Sequence, residues 1–274
     1  MGVRVIAGFL LVVAVLALTL FAPPYLLPIV IALVSALAVQ ELLWTTGFVR
    51  KKRHLVAALV MAILIPPWVY FGSYERGAVL MLFLFVFFLF LEGITGSKDM
   101  SFEKISGIIF AATIVPYFLS SMLRLMALPI GKLNLLFMFI TAFGSDAMAL
   151  FAGMLFGKHK LAPDISPKKT VEGAIGGLVM SPVLLVIFSF VLGRMYGLET
   201  NYLLLVVYGF SGAFVSQIGD LAMSFIKRQY HIKDFGELIP GHGGILDRFD
   251  SVLFAAPFLE ILFFLAPVFT MPVA

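Results

Sequence analysis

Cysteine is absent from the 274 residues, which excludes disulfides, thiolate chemistry and cysteine-ligated metals. Charge is nearly as scarce, since Asp, Glu, Lys and Arg make up 12% of the chain, against the ~25% of an ordinary soluble domain. So few ionic groups cannot cover a water-soluble surface. With 62% hydrophobic residues and a mean hydropathy of +1.09, the chain reads as an integral membrane protein. Also missing are an internal repeat, a low-complexity tract, a linker long enough to separate two domains, and the ~10-residue alternation of a membrane β-barrel strand. What is present is a series of apolar runs near the ~20 residues with which an α-helix crosses about 30 Å of hydrocarbon. The expected fold class is therefore all-α and polytopic.

Hydropathy and the Gly, Pro and charge breaks predict nine spans, near 3–21, 25–44, 55–71, 77–92, 106–128, 133–156, 173–193, 201–225 and 251–272. The first follows Arg4 but exceeds the usual length of a secretion-signal core and lacks a small-x-small cleavage site, so it is read as a span. Pro66, Pro67 and Pro116 are expected to kink or end their helices. Basic residues supply an independent test of orientation. Fifteen of the nineteen lie in loops on the side of the N-terminus: Arg4, Arg50, Lys51, Lys52, Arg53, Lys98, Lys104, Lys158, Lys160, Lys168, Lys169, Lys227, Arg228, Lys233 and Arg248. Only Arg76, Arg124, Lys132 and Arg194 lie opposite. The expectation is N-terminus in, C-terminus out, an odd number of spans, and one transmembrane domain over 1–274.

The cluster RKKRH at 50–54 is explained by anchoring near anionic headgroups. Two other loops on the same side carry more than charge. In KHKLAPDISPKKTVEGAIGG, residues 158–177, Ser166 and Pro167 read as a helix N-cap and its first residue, which places Lys168 and Lys169 in the first turn. Cations there oppose the helix dipole, and exposed N–H groups beside two lysines suit a phosphate. Gly173, Gly176 and Gly177 would admit a ligand or a neighbouring helix, within one chain or between the two chains of a homodimer.

Acidic residues narrow the chemistry. Asp146 and Asp220 fall inside apolar runs, where an ionised carboxylate costs roughly 2.5–3.5 kcal/mol and needs a partner or a wet cavity. Glu41 and Glu260, in or near spans without a polar motif around them, are read as interhelical hydrogen-bonding groups. The stretch IPGHGGILDRFDS, residues 239–251, concentrates polar and flexible residues between two apolar runs. Asp247 and Asp250 share one face if a helix begins near Leu246, and with Asp220 they could converge on a divalent cation, for which hard carboxylate oxygens suit Mg²⁺. Pro240-Gly241 and Gly243-Gly244 would leave N–H groups free to cradle a phosphate. The plainer alternative is a re-entrant turn closed by an Arg248–Asp salt bridge.

Residues 224–250, SFIKRQYHIKDFGELIPGHGGILDRFD, resemble the signature of the phosphatidate cytidylyltransferases throughout: S-x-x-K-R, four residues, K-D, then P-x-H-G-G-x-x-D-R-x-D. The stretch GKHKLAPDISPKKTVEG, residues 157–173, is similar to the same family's cytoplasmic loop, and the many-span layout agrees over nearly the whole chain. Two departures bear on the nucleotide pocket: Val171 stands where the family often has an aromatic, and Ser145 where an Asn commonly precedes the Asp matched by Asp146.

The resemblance implies that CTP and phosphatidic acid give CDP-diacylglycerol and pyrophosphate at the cytoplasmic leaflet. It implies Mg²⁺, as one or two cations, on Asp220 and Asp247, with Asp146 and Asp250 as further ligands or orienting groups. It also implies catalytic helices with their loops over about 133–274, following N-terminal helices to about 128. A phosphate monoester is largely dianionic at neutral pH and can itself attack the α-phosphorus, so no side-chain base is required. Lys227, Arg228, Lys233, Arg248, Lys168 and Lys169 would screen the two polyanions, with Ser166, Gly243 and Gly244 on the substrates and His242 donating a hydrogen bond to a phosphate. A polar cavity open to the cytosol and the inner leaflet of a bacterial plasma membrane is expected.

Two rivals use similar residues. A CTP-dependent lipid-alcohol kinase would transfer the γ-phosphoryl group instead, and the complete 224–250 signature favours cytidylyl transfer. An ion-coupled transporter would show related halves and a midplane site, whereas these polar residues collect at one face. The basic pI of about 9.3 is accounted for by topology and phosphate ligands without nucleic acid.

Overall fold

A computed structural model describes residues 13–72, 75–95, 100–239 and 243–270. Residues 13–21 are helical, and seven further helices are long and apolar enough to cross a membrane. These are α1 (Leu26–Thr45), α2 (Lys52–Phe71), α3 (Glu75–Ile94), α4 (Phe102–Ala127), α5 (Gly131–Phe156), α6 (Val171–Tyr196, apolar to Arg194) and α7 (Tyr202–Gln229). They match the second to eighth expected spans. The start of the first span, including Arg4, and also Lys98 lie outside the described residues. The final helix, α8 (Leu246–Leu265), is less apolar because Asp247, Arg248, Asp250 and Glu260 lie along it. It begins where the carboxylate spacing required and ends short of the expected span, with the chain leaving the helix before Phe269–Thr270.

The chain forms two compact units, Met1–Arg124 with Tyr230–Arg248, and Leu125–Gln229 with Phe249–Ala274. In the first, α1 packs against α2 and α4 through Ala38, Val39, Leu42 and Leu43 on one side and Ala58, Ala62, Ala111, Val115 and Leu119 on the other, all buried. Small residues recur because apolar side chains gain little by leaving lipid for protein, so close backbone approach and polar contacts must hold the helices. One such contact joins buried His54 of α2 to Glu92 of α3 at 3.0 Å, with Arg53 paired to the same carboxylate. The expected proline breaks do not end their helices. Helix α2 continues through Pro66 and Pro67 to Phe71, and Pro116 stands two residues after a π-helical turn, Phe110–Ile114, in the first turn of the α-helical segment that follows.

In the second unit, α6 packs on α5 and α7 through its glycines. A Cβ on Gly176 would lie 2.3 Å from Ala152 Cβ, one on Gly173 2.7 Å from Ala149 O, and one on Gly177 2.7 Å from Ser145 O. The glycine spacing is thus used inside the chain, between α6 and α5. Gln217 of α7 adds a polar tie, donating to Ala174 O at 3.1 Å and to Ser145 Oγ at 3.3 Å. A second π-helical turn, Ile140–Gly144, precedes Ser145 and Asp146 and sets the face on which that carboxylate leaves α5. Tyr208 of α7 donates to Leu262 O and Ala266 O at 2.9 Å each, closing the end of α8.

Two small antiparallel ribbons are present among the described residues. One pairs β1 (Lys160–Ala162) with β2 (Ser166–Thr170), the other β3 (Glu199–Thr200) with β4 (Phe269–Thr270). The first ribbon overturns the expected helix start at Ser166. Thr170, with extended backbone, is the N-cap of α6, and its Oγ1 accepts from Gly173 N at 3.1 Å. Thr is also among the preferred N-cap residues, and Pro167 is tolerated because every strand of a two-stranded ribbon is an edge.

Candidate active site

In the second unit, the β1–β2 hairpin carries the lysines expected on a helix, and the change of element changes their roles. Successive side chains of a strand point to opposite faces. Lys169 accordingly turns in and pairs with Asp220 of α7, while Lys168 is exposed. The hairpin is tied down at both ends. At one, Glu172 accepts from Lys158 N at 3.0 Å and His159 N at 3.2 Å and contacts His159 Nδ1 at 2.6 Å. At the other, Arg228 Nε donates to Ile165 O at 3.0 Å, so Arg228 holds the loop that presents Lys169. Ser166 sits half-buried at the start of β2.

Asp220 also receives Ser224 Oγ, one helical turn on, at 3.4 Å. Asp250 of α8 is buried, takes the N–H of Ser251 on Oδ1 at 2.8 Å, and has buried Lys227 Nζ 4.0 Å from Oδ2. Asp146 and Asp220 both lie within electrostatic range of the Asp250 carboxyl. The unit therefore gathers three carboxylates with Lys169 and Lys227 among them. No three His, Asp or Glu side chains among the described residues approach closely enough to hold a cation by themselves.

In the first unit, residues 235–239 and 243–248 surround two carboxylates. Asp247 is buried and its Oδ2 accepts from Phe235 N at 2.8 Å and Gly244 N at 3.0 Å. Glu41 of α1 accepts from Ile245 N and Leu246 N, each at 2.9 Å. The N–H of Gly244, expected to face a phosphate, is instead donated to Asp247. Gly243 has φ of +82°, which only glycine adopts freely, and its carbonyl accepts from Ile239 N at 2.9 Å. Arg248 is half-buried and its Nε has no hydrogen-bond partner among the described residues. Lys233 is exposed. His242, with Pro240 and Gly241, lies outside the described residues.

Sequence reading missed Thr170, Glu172 and the attachment of Glu41. Thr170 is a competent cap that local sequence does not separate from Ser166, and Glu41 was not legible as an anchor because its partners lie 204 and 205 residues away.

The fold defines a helical, polytopic membrane protein, and its second unit gathers three carboxylates and two lysines. A sequence model of the cytidylyltransferase family matches residues 2–266. The phosphatidate cytidylyltransferase of Haemophilus influenzae is 33% identical over 95% of this chain and 98% of its own length. That of Bacillus subtilis is 49% identical over 45% of this chain and 44% of its own, and that of Rickettsia bellii 36% identical over 61% and 72%. The chain belongs to the cytidylyltransferase family.

Proposed function

We propose that the chain transfers the cytidylyl group of CTP to phosphatidic acid, forming CDP-diacylglycerol and releasing pyrophosphate. The observation that carries this reading is the nearly full-length similarity to a relative named for that reaction, in a chain whose structure pairs Lys169 with Asp220 and Lys227 with Asp250. The lipid phosphate dianion attacks the CTP α-phosphorus, a phosphorus–oxygen bond forms, the bridging bond to the β-phosphate breaks, and pyrophosphate leaves with the electron pair. No proton need be removed. The protein's work is to align two polyanions and screen their repulsion.

Lys169 and Lys227 exchange a carboxylate partner for phosphate oxygens, and the buried Arg248 Nε donates to another. Arg228 keeps the hairpin in place while Lys168 and Lys233 attract the nucleotide from solution. His242 donates to a phosphate, and Ser166 and Gly243 border the substrate. The donor set fits Mg²⁺ in the way that ion is usually bound, by one or two carboxylates completed by substrate phosphates and water rather than by an all-protein cage. By the resemblance, Asp220 and Asp247 would hold it, with Asp146 and Asp250 as further ligands or orienting groups. When bound it screens the triphosphate and stabilises the leaving oxygen.

The same reading places nine spans in a bacterial inner membrane, N-terminus in and C-terminus out, with the site open to the cytosol and the inner leaflet. CTP is met there, and the basic loops lie on that side. The test uses purified protein, short-chain phosphatidic acid, MgCl₂ and CTP labelled at the α- or the γ-phosphate. Entry of α-label into lipid with release of pyrophosphate supports the reading. Transfer of γ-label to a lipid alcohol would replace it with a kinase.

A further inference from the structure

Helix α8 opens with LDR after the loop residues GGI, and the residue before its first, Ile245, has no side-chain oxygen with which to cap it. Within the loop that precedes it, no Ser, Thr, Asn or Asp stands at 236–246 to take its place. The need is met from 204 residues away. Glu41, four residues before the end of α1, accepts from Ile245 N on Oε1 and from Leu246 N on Oε2, both at 2.9 Å, so both carboxyl oxygens face the positive end of the helix. The loop is shaped around it: a Cβ on Gly236 would lie 2.6 Å from Glu41 Oε1, and one on Gly244 2.3 Å from Oε2. Asp247 takes the adjoining N–H groups of Phe235 and Gly244. Four backbone donors around one short loop are thus held by two carboxylates, one from the loop's own helix and one from α1.

We propose that Glu41 is a positioning residue for the reaction, fixing the first turn of α8 and through it the directions of Asp247 and Arg248. This rests on the function assigned above to those two residues. Glu41 lies far outside the 224–250 signature and touches neither substrate nor reacting atoms in this role. It acts as a remote N-cap. Both oxygens are needed, because each serves a different N–H.

The test compares Glu41→Ala, Glu41→Gln and Asp247→Asn with the parent protein in kcat, KM for CTP and amide hydrogen exchange of residues 243–249. Loss of the anchor should lower kcat of Glu41→Ala about tenfold to a hundredfold while KM stays within about threefold. Exchange at 243–249 should rise with no change in α6. Glu41→Gln, with one carbonyl oxygen left to accept, should fall between parent and Ala in both readouts, and it decides the matter if the Ala protein does not fold. A kcat equal to the parent's in both variants, or a loss of kcat with unchanged exchange at 243–249, would overturn the proposal. Asp247→Asn separates the two levels: if it retains full activity the assigned function of the loop fails, whereas loss there with a fully active Glu41→Ala removes only the role of Glu41.

Discussion

Replacing Lys169 by Met keeps most of the side chain's length and packing and removes its ammonium group. In the structure that charge is paired with Asp220, and the two side chains are 29% and 20% exposed. Removing one partner from a fully buried pair costs roughly 3–5 kcal/mol, and exposed pairs are worth about 0–1 kcal/mol, so this pair should contribute about 2 kcal/mol. The loss is aggravated because Asp220 then faces Asp250 with less compensation. For catalysis, a charge-assisted hydrogen bond from Lys169 to a phosphate is worth ~1.5–3 kcal/mol, which lowers kcat/KM about 10- to 100-fold when it is lost. Lys169→Arg should recover the stability and only part of the activity, since a planar fork does not reproduce a point ammonium. The assay is α-labelled CTP turnover beside thermal unfolding in detergent. Lys169→Met protein with the parent's kcat/KM, at whatever stability, would refute the role given to the hairpin.

Other perturbations separate scaffold from chemistry. Thr170→Ala removes the cap of α6 and should cost about 1 kcal/mol, read as a lower unfolding midpoint with faster exchange in the 160–173 segment. Gly176→Leu forces α6 off Ala152, which a Cβ would already approach to 2.3 Å, and overpacking of this kind should cost at least about 1–3 kcal/mol in a denaturant titration. Arg228→Ala releases Ile165 O and loosens the hairpin, so KM for CTP should rise while kcat at saturating CTP is largely kept.

The membrane spans were legible because they depend on a one-dimensional quantity, the run of apolar residues, and seven helices fall where that quantity placed them. The start of α8 was legible too, since the Asp247–Asp250 spacing has one helical explanation. The start of α6 was not. Ser166 and Thr170 are both competent caps, and the choice between them rests on the pairing of Lys160 with Thr170, a contact that no local preference encodes. Strand geometry then divides two adjacent lysines that a helix would have kept together, leaving Lys169 on Asp220 and Lys168 exposed. The glycines at 243 and 244 announced an unusual loop, but Gly244 donates its N–H to Asp247, because an adjacent carboxylate is a permanent acceptor whereas a phosphate visits. Glu41 was recognised as a hydrogen-bonding group in a membrane helix without its target, and a partner 204 residues distant leaves no local trace.

Stereochemistry at the α-phosphorus tests the central claim most directly. If the lipid phosphate attacks CTP in line and without a covalent enzyme intermediate, a single diastereomer of CTPαS must give CDP-diacylglycerol with its thiophosphate configuration inverted, as read by ³¹P NMR. Retention would mean two displacements and a cytidylylated side chain, and would contradict the mechanism.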